Sequence, residues 1–271
     1  MSPNLENHQK LMNDLYKEPK FPEAIDLWAT YNAKNIEDVM YSNWRYLNKK
    51  RQKIENSVFQ RYIKPRDTVL DIGCGKGYFL KRLYQNFKGS IEYNGSDISE
   101  IIINIAKRYF PKAKYTISPG EKLPYEDNYF DYVQIIATIE HVLNPEKFLE
   151  EAYRILKTKG YIYLVIHKKS IDPLLLSLIL KASFQKNQLK YKKKIDLLHP
   201  LTLEDVRNEL SKTTKRLNLT LIEKKSLVSH IDLKFYRNFK IPFKLLLGIV
   251  KLTNYIPFSL FKNLEYRIYR K

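Results

Sequence analysis

Residues 69–80 read VLDIGCGKGYFL, and this stretch decides the fold class of the chain. An apolar run at 68–70 leads to the carboxylate of Asp71, and a turn with alternating glycines, 73–77, precedes a helix-like segment, 78–87. Alternating glycines let the backbone turn sharply and leave no side chain between it and a ligand. The stretch therefore predicts a strand, a ligand-binding turn and a helix, in that order.

The carboxylate before the turn distinguishes it from a dinucleotide-binding turn. The pattern is D-x-G-x-G-x-G, whereas dinucleotide enzymes carry G-x-G-x-x-G. Asp71 would repel a pyrophosphate and attract a cationic amino group. The single cysteine, Cys74, lies inside the turn, where a small residue is needed, and it excludes an internal disulfide framework. We therefore expect a cationic ligand and a protein of a reducing compartment.

Strand and helix patterns alternate along most of the chain. The predicted strands are 68–72, 91–96, 113–117, 130–136, 161–166 and 219–228, and the predicted helices are 77–87, 99–109, 145–157 and 202–217. Such alternation is typical of a parallel sheet covered by helices on both faces. We predict an α/β fold with a doubly wound, mostly parallel sheet.

The patterns divide the chain into three regions. Residues 1–64 form a predicted helical N-terminal cap, in which a helix over 45–63 ends before a proline. Residues 65–232 form the α/β domain, with a basic and apolar insertion at about 169–198. Residues 233–271 are predicted to be a basic, amphipathic C-terminal extension.

Positive charge is concentrated in the C-terminal part. The net charge is +19, of which residues 168–271 carry +15. This part is expected to face a membrane surface, a phosphorylated substrate or nucleic acid, unless its lysines only decorate a solvated surface. The apolar stretch 241–261 contains lysines and prolines and is a poor transmembrane span. Because the N-terminus lacks a signal-peptide pattern, we expect a cytoplasmic protein with peripheral contact at the inner face of the membrane.

Four segments occur in an order that resembles a known family. They are VLDIGCGKGYF at 69–79, YNGSDIS at 93–99, GEKLPYEDNYFDYVQ at 120–134 and IEHVLNPEKFLEEAYRILKTKGYIYLVI at 139–166. The chain resembles the class I S-adenosylmethionine-dependent methyltransferases, especially the group that contains the quinone-biosynthesis O-methyltransferases. The resemblance covers residues 66–168 closely and 199–228 loosely. It implies a Rossmann-like methyltransferase fold and S-adenosyl-L-methionine as the cofactor.

The resemblance also assigns a cofactor site. It implies that Asp71 and the turn glycines hold the methionine portion, and that Asp97, which ends the second strand, accepts hydrogen bonds from the ribose hydroxyls. Pro119 replaces the acidic residue that reaches the adenine in the family, so the backbone of Gly120, the Glu121 side chain or stacking on Ile98 must recognise the adenine. The predicted cofactor-binding residues are Asp71, Gly73, Cys74, Gly75, Gly77, Asp97, Ile98, Gly120, Glu121 and Ala137.

Two histidines are the predicted catalytic residues. His141 lies in an E-H-V element like that of the quinone O-methyltransferases, and His167 ends the fifth strand. Either imidazole could act as a general base toward a hydroxyl, although His141 could instead line the pocket and His167 could be structural. Some relatives hold a divalent metal with E-x-x-E-H, but Ala137 replaces the first glutamate here, so no metal site is predicted.

Three functions remain open from the sequence. The first is O-methylation of a small-molecule or lipid-linked acceptor, quinone-like or glycan, near a membrane surface. The second is RNA methylation, for which Phe235-Tyr236-Arg237 and Tyr266-Arg267 would stack on bases. No recognisable RNA-binding module supports it, so nucleic acid is the less favoured partner. The third is a regulator that binds the cofactor without turnover.

Overall fold

The computed structural model describes residues 3–17, 51–167, 202–227 and 264–271. The strands are β1 (Thr68–Ile72), β2 (Glu92–Asp97), β3 (Lys114–Ile117), β4 (Phe130–Ile136), β5 (Leu156–His167), β6 (Thr220–Leu227) and β7 (Leu264–Arg270). The helices are α1 (Pro3–Lys17), α2 (51–62), α3 (Tyr78–Phe87), α4 (Glu100–Tyr109), α5 (Pro145–Ile155) and α6 (Leu203–Arg216), with a 3₁₀ turn at Ile139–His141.

The seven described strands form one sheet in the order β3-β2-β1-β4-β5-β7-β6. Strands β1 to β5 are parallel, and β7 runs antiparallel to both of its neighbours. The order reverses between β1 and β4, and the crevice at such a switch point is where open α/β sheets bind ligands. The predicted doubly wound, mostly parallel sheet is confirmed.

Helices cover both faces of this sheet because its central strands are apolar on both sides. On one face α5 and α6 pack against side chains such as Leu70, Val133 and Leu164. On the other face α2, α3 and α4 pack against side chains such as Val69 and Val165. Strands buried on both faces read as nearly continuous apolar runs, which explains the composition of β1 and β4.

Local sequence signals set the helix boundaries. The Ser99 hydroxyl accepts a hydrogen bond from the N–H of Ile102 and caps the start of α4, one residue after the predicted helix start. Thr202 and Asp205 form a reciprocal capping box at the start of α6. Helix α5 ends two residues earlier than predicted, and the chain enters β5 directly at Leu156, which pairs with Phe130.

The final strand corrects the predicted domain boundaries. Residues 264–270 were assigned to a C-terminal extension, but they form β7 between β5 and β6, inside the sheet. Tyr266 and Ile268 have no exposed surface, and the Tyr266 hydroxyl donates to Glu223 at 2.7 Å. The RNA hypothesis required Tyr266 to stack on a nucleic-acid base, and its burial makes this impossible.

An ion cluster joins α2 to α3 and was not foreseen. The carboxylate of Glu55, which is fully buried, pairs with Arg51 and Arg82. Two arginines hold the pKa of Glu55 below its ordinary value despite the opposing effect of burial. This pairing keeps a charge inside the apolar layer without leaving it uncompensated.

The remaining predictions fall partly beyond the described ranges. Residues 18–50, the insertion at about 169–198 and residues 233–263 lie outside them. Among the described helices, none is both long and apolar enough to cross a membrane.

Candidate cofactor and active site

The glycine turn folds back onto the end of β2. The backbone N–H groups of Gly73 and Cys74 both donate to the Ser96 carbonyl, at 2.8 and 2.9 Å. Gly73, Gly75 and Gly77 have φ angles of +71°, +52° and +76°, a backbone conformation that costs other residues energy. The sequence needs glycine here because the chain turns within a few residues from strand to helix.

The glycines differ in what surrounds them. A Cβ on Gly73 would overlap the Thr138 side chain, so this glycine is required for packing between the turn and the chain after β4. A Cβ on Gly75 would meet no protein atom within 4 Å. Gly75 therefore borders open space, where a ligand can approach the backbone closely.

Asp71 presents a buried carboxylate next to the turn. It is 1% exposed, and its Oδ2 atom has no hydrogen-bond partner among the described residues. Burial raises the pKa of Asp71 to about 8; the neighbouring Gln134 amide opposes this rise, and the charge of nearby Asp97 adds to it. A cationic ligand would offset both the burial and the charge of Asp97, so the site favours a positively charged group.

Asp97 supports the turn in addition to its predicted role. Its Oδ2 accepts from the N–H of Gly75 at 3.1 Å, and its Oδ1 accepts from the N–H of Ser99 at 3.0 Å. Burial raises the pKa of Asp97 to about 6, while these backbone hydrogen bonds oppose the rise. Each carboxylate oxygen can accept a second hydrogen bond, which leaves capacity for ligand hydroxyls.

Residues 118–121, which are predicted to lie near the adenine, make contacts with the chain after β4 and with α5. Oε1 of Glu121 accepts from the N–H groups of Leu143 and Asn144, at 3.1 and 3.4 Å. Gly120 packs so tightly on Phe148 that a Cβ would overlap its ring. The hydroxyl of Ser118 is buried and has no partner among the described residues. Ser118 was not foreseen as a site residue, and it offers a polar contact beside Pro119.

Helix α1 covers the end of β2, which sequence patterns did not indicate. Gln9 donates from Nε2 to the Ile98 carbonyl at 3.0 Å, and Asn13 accepts from the Ser99 hydroxyl at 2.7 Å. His8 is buried near Glu121, and burial lowers its pKa. These contacts place α1 over the segment that contains Asp97 and Ile98.

The end of β4 brings two other predicted residues to the site. Ala137 adopts a φ of +50° and donates from its N–H to the Val165 carbonyl at 2.9 Å. This turn directs Thr138 toward Gly73. His141 closes the following 3₁₀ turn, and its N–H donates to the Thr138 carbonyl at 2.9 Å.

The structure pairs His167 with Glu140, a partner that sequence reasoning missed. Oε1 of Glu140 lies 2.7 Å from the His167 backbone nitrogen and 3.1 Å from its ring Nδ1. Burial raises the pKa of Glu140, but the His167 hydrogen bonds and charge outweigh burial and lower it overall. The roles of His141 and His167 as catalytic residues stay predictions.

Several buried polar atoms at the ends of these strands have no partner among the described residues. They are Asp71 Oδ2, Ser96 Oγ, Ser118 Oγ, both amide atoms of Gln134 and Glu140 Oε2. Buried polar atoms are almost always hydrogen-bonded, so this set fits a polar ligand such as S-adenosylmethionine. Within the described ranges, no three His, Cys, Asp or Glu side chains are grouped to hold a metal ion.

Comparison with known proteins agrees with this geometry. Residues 70–164 match the methyltransferase domain family. The chain is 36% identical over 101 residues to the ubiquinone/menaquinone biosynthesis C-methyltransferase of Rickettsia akari, covering 34% of this chain and 41% of that protein. The chain spans 57% and 41% of the length of two of the curated relatives that it matches.

Solved structures share the fold at low sequence identity. An S-adenosylmethionine-dependent methyltransferase of Methanosarcina mazei has a TM-score of 0.52 and 18% identity, covering 79% of this chain and 96% of that one. The [4+2]-cyclase SpnF has a TM-score of 0.53 and 16% identity, covering 81% of each chain. These likenesses confirm the Rossmann-like methyltransferase fold.

Proposed function

We propose that this chain, whose residues 70–164 match the methyltransferase domain family, is an S-adenosylmethionine-dependent methyltransferase that methylates a lipid-linked, quinone-like or glycan acceptor near a membrane surface. The acceptor atom in this proposal is a hydroxyl oxygen. The observation that carries the cofactor part is the buried Asp71 carboxylate, whose Oδ2 lacks a partner in the described chain and lies beside the turn that contains Gly75.

The cofactor has positive groups and hydroxyls that match this site. Asp71 would hold the amino group of its methionine portion, Asp97 would accept hydrogen bonds from its ribose, and Gly75 would let the backbone approach it. When bound, S-adenosylmethionine supplies a methyl group already activated by a positively charged sulfur. The protein's own tasks are to bind and orient the acceptor and to exclude water.

Two observations support a quinone-like acceptor at a membrane. The Rickettsia akari relative is a ubiquinone/menaquinone biosynthesis C-methyltransferase by name, and the C-terminal residues 168–271 carry a net charge of +15. A basic surface is attracted to anionic lipid headgroups. The relative's name refers to carbon methylation, so the product must be analysed for O-methyl and C-methyl groups separately.

The proposal is tested by finding where the methyl group goes. Purified protein is incubated with methyl-labelled S-adenosylmethionine and separated lipid, RNA, protein and small-molecule fractions of a cell extract. We expect label in the lipid fraction and none above background with Gly75→Val. Label in RNA would replace the proposal with the nucleic-acid alternative, and cofactor binding without label in any fraction would favour the regulator.

A further inference from the structure

Glu140 and His167 form a pair at the carboxyl end of the sheet. One oxygen of Glu140 bonds both the backbone N–H and the ring Nδ1 of His167. The Glu140 side chain is 1% exposed, whereas that of His167 is 39% exposed. A buried carboxylate thus holds one edge of an accessible imidazole and leaves Nε2 free of this bond.

The charge of Glu140 determines which ring nitrogen carries the proton. Its lowered pKa keeps the carboxylate ionised, because the bonds from His167 outweigh burial. An ionised carboxylate only accepts hydrogen bonds. Nδ1 of the neutral His167 ring must therefore donate, so its lone pair lies on Nε2.

The pair lies close in the chain to residues that contact the glycine turn or the end of β4. Glu140 lies two residues after Thr138, and the Thr138 side chain packs against Gly73 of the turn. His167 lies two residues after Val165, and the Val165 carbonyl accepts a hydrogen bond from the N–H of Ala137. Both partners are thereby tied to the chain that borders the glycine turn.

Arg207 of α6 adds a charged group to this edge. Its Nη2 donates to the His167 carbonyl at 2.6 Å. Its Nε and the second oxygen of Glu140, Oε2, are buried and have no partner among the described residues. Arg207 thus ties the backbone of His167 to α6.

We propose that His167 is the general base that removes the acceptor's proton and that Glu140 is the positioning residue that orients the ring and stabilises its protonated form. The inference rests on the proposed function and concerns an acceptor whose methylated atom is a hydroxyl oxygen. The proton moves from that hydroxyl to Nε2 of His167, and the electron pair left on the acceptor forms the new bond to the methyl carbon as the carbon–sulfur bond breaks. His167 then releases its proton to solvent.

The ring geometry is tested without any acceptor. In nitrogen-15 NMR of histidine-labelled full-length protein, we expect the His167 signals of the Nδ1–H tautomer, and a mixture of tautomers in Glu140→Gln. The matched control is Glu146→Gln, which alters an exposed carboxylate bonded to Arg216. An unchanged His167 spectrum in Glu140→Gln would overturn the positioning role.

The chemical role is tested with catechol and 1,4-dihydroxynaphthalene as probes, together with labelled cofactor. We expect kcat to fall by about 100- to 10,000-fold in His167→Ala, with the Kd for S-adenosylmethionine unchanged and with partial rescue by added imidazole. Glu140→Gln should lower kcat about tenfold or more, and Glu140→Asp should lower it less. Glu146→Gln should match the unaltered protein.

Two failures can be distinguished. If the unaltered protein methylates a probe and His167→Ala does so equally fast, the base is overturned and the proposed function stands. If the unaltered protein binds cofactor but methylates neither the probes nor any extract fraction, the proposed function fails, and the inference fails with it.

Discussion

Asp71 and Gln134 occupy paired positions on the adjacent parallel strands β1 and β4. Both are buried, and Oδ2 of Asp71 and both amide atoms of Gln134 have no hydrogen-bond partner in the described chain. Paired residues on neighbouring strands point to the same face of a sheet. The strand register therefore places an acidic group beside an amide that can both donate and accept, and this amide opposes the rise that burial causes in the pKa of Asp71.

Asp97→Ala should weaken S-adenosylmethionine binding. The change removes hydrogen bonds to the ribose and the support that Oδ2 of Asp97 gives to the N–H of Gly75. We expect a loss of about 1–3 kcal/mol in binding free energy, measured by calorimetry. Asp127→Ala is the control, because Asp127 pairs with Arg154 on an exposed surface. Equal affinity in both variants would remove Asp97 from the site.

Gly75→Val should abolish cofactor binding and leave the protein folded. Valine would fill the open space beside the turn and would strain a φ of +52°. Gly89→Val is a matched control, since Gly89 has a φ of +87° and its added Cβ would meet only Tyr84, at 3.8 Å. Both variants should lose similar stability in urea, but only Gly75→Val should lose binding. A pocket elsewhere is indicated if both variants bind normally.

Cofactor binding should release protons near neutral pH. Burial raises the pKa of Asp71 to about 8, and a bound cation should lower it again. Affinity should therefore increase from about pH 6 to about pH 8. Calorimetry in buffers of different ionisation enthalpy measures the released protons. Asp71→Asn should bind more weakly and show no such release, and a release identical to that of the unaltered protein would contradict the assignment.

The carboxyl groups of Asp71 and Asp97 should make the ligand-free protein less stable as the pH rises. Asp71 and Asp97 have raised pKa values, about 8 and about 6, so the folded state binds more protons than the unfolded state above about pH 4. Their contribution to stability is complete below about pH 4 and is lost as the pH rises through about 6 and then about 8. Urea denaturation from pH 5 to pH 9 should show a smaller decline in Asp71→Asn than in the unaltered protein. Equal declines would mean that Asp71 titrates normally.

Strand β7 should be essential for stability. Ile268→Ala removes a side chain with no exposed surface, between β5 and β6, and should cost about 2–5 kcal/mol in the free energy of unfolding. Ile222→Ala makes the same chemical change at a side chain that is 45% exposed, and should cost about 1 kcal/mol or less. Similar losses in denaturant titrations would argue against a buried β7.

The membrane part of the proposal predicts binding to anionic vesicles. In flotation experiments, full-length protein should bind vesicles that contain phosphatidylserine, because residues 168–271 carry a net charge of +15. Binding should decrease with added salt, and vesicles of phosphatidylcholine alone are the control. Protein that stays in solution in the presence of anionic vesicles at low salt would contradict membrane binding and would favour a water-soluble methyl acceptor.

Much of the α/β domain was predictable because its signals are local. The apolar runs, the alternating glycines and the N-cap at Ser99 each act within a few residues, and they placed β1, α3 and α4 close to their observed bounds. The position of Asp97 at the end of β2 followed in the same way. The predicted contacts of the cofactor with these residues still await a binding measurement.

The sequence by itself determined the glycine turn, the sheet type and the resemblance of residues 70–164 to the methyltransferase domain family. Only the tertiary structure decided that residues 264–270 pair between β5 and β6, that α1 covers Ile98, and that Glu140 holds His167. These relationships join residues far apart in the chain, and a mixed apolar and basic run such as LEYRIYR reads equally well as an extension or a strand. Packing decides between them, because Tyr266 and Ile268 are buried in one cluster with side chains of α2, such as Phe59, which is distant in the chain.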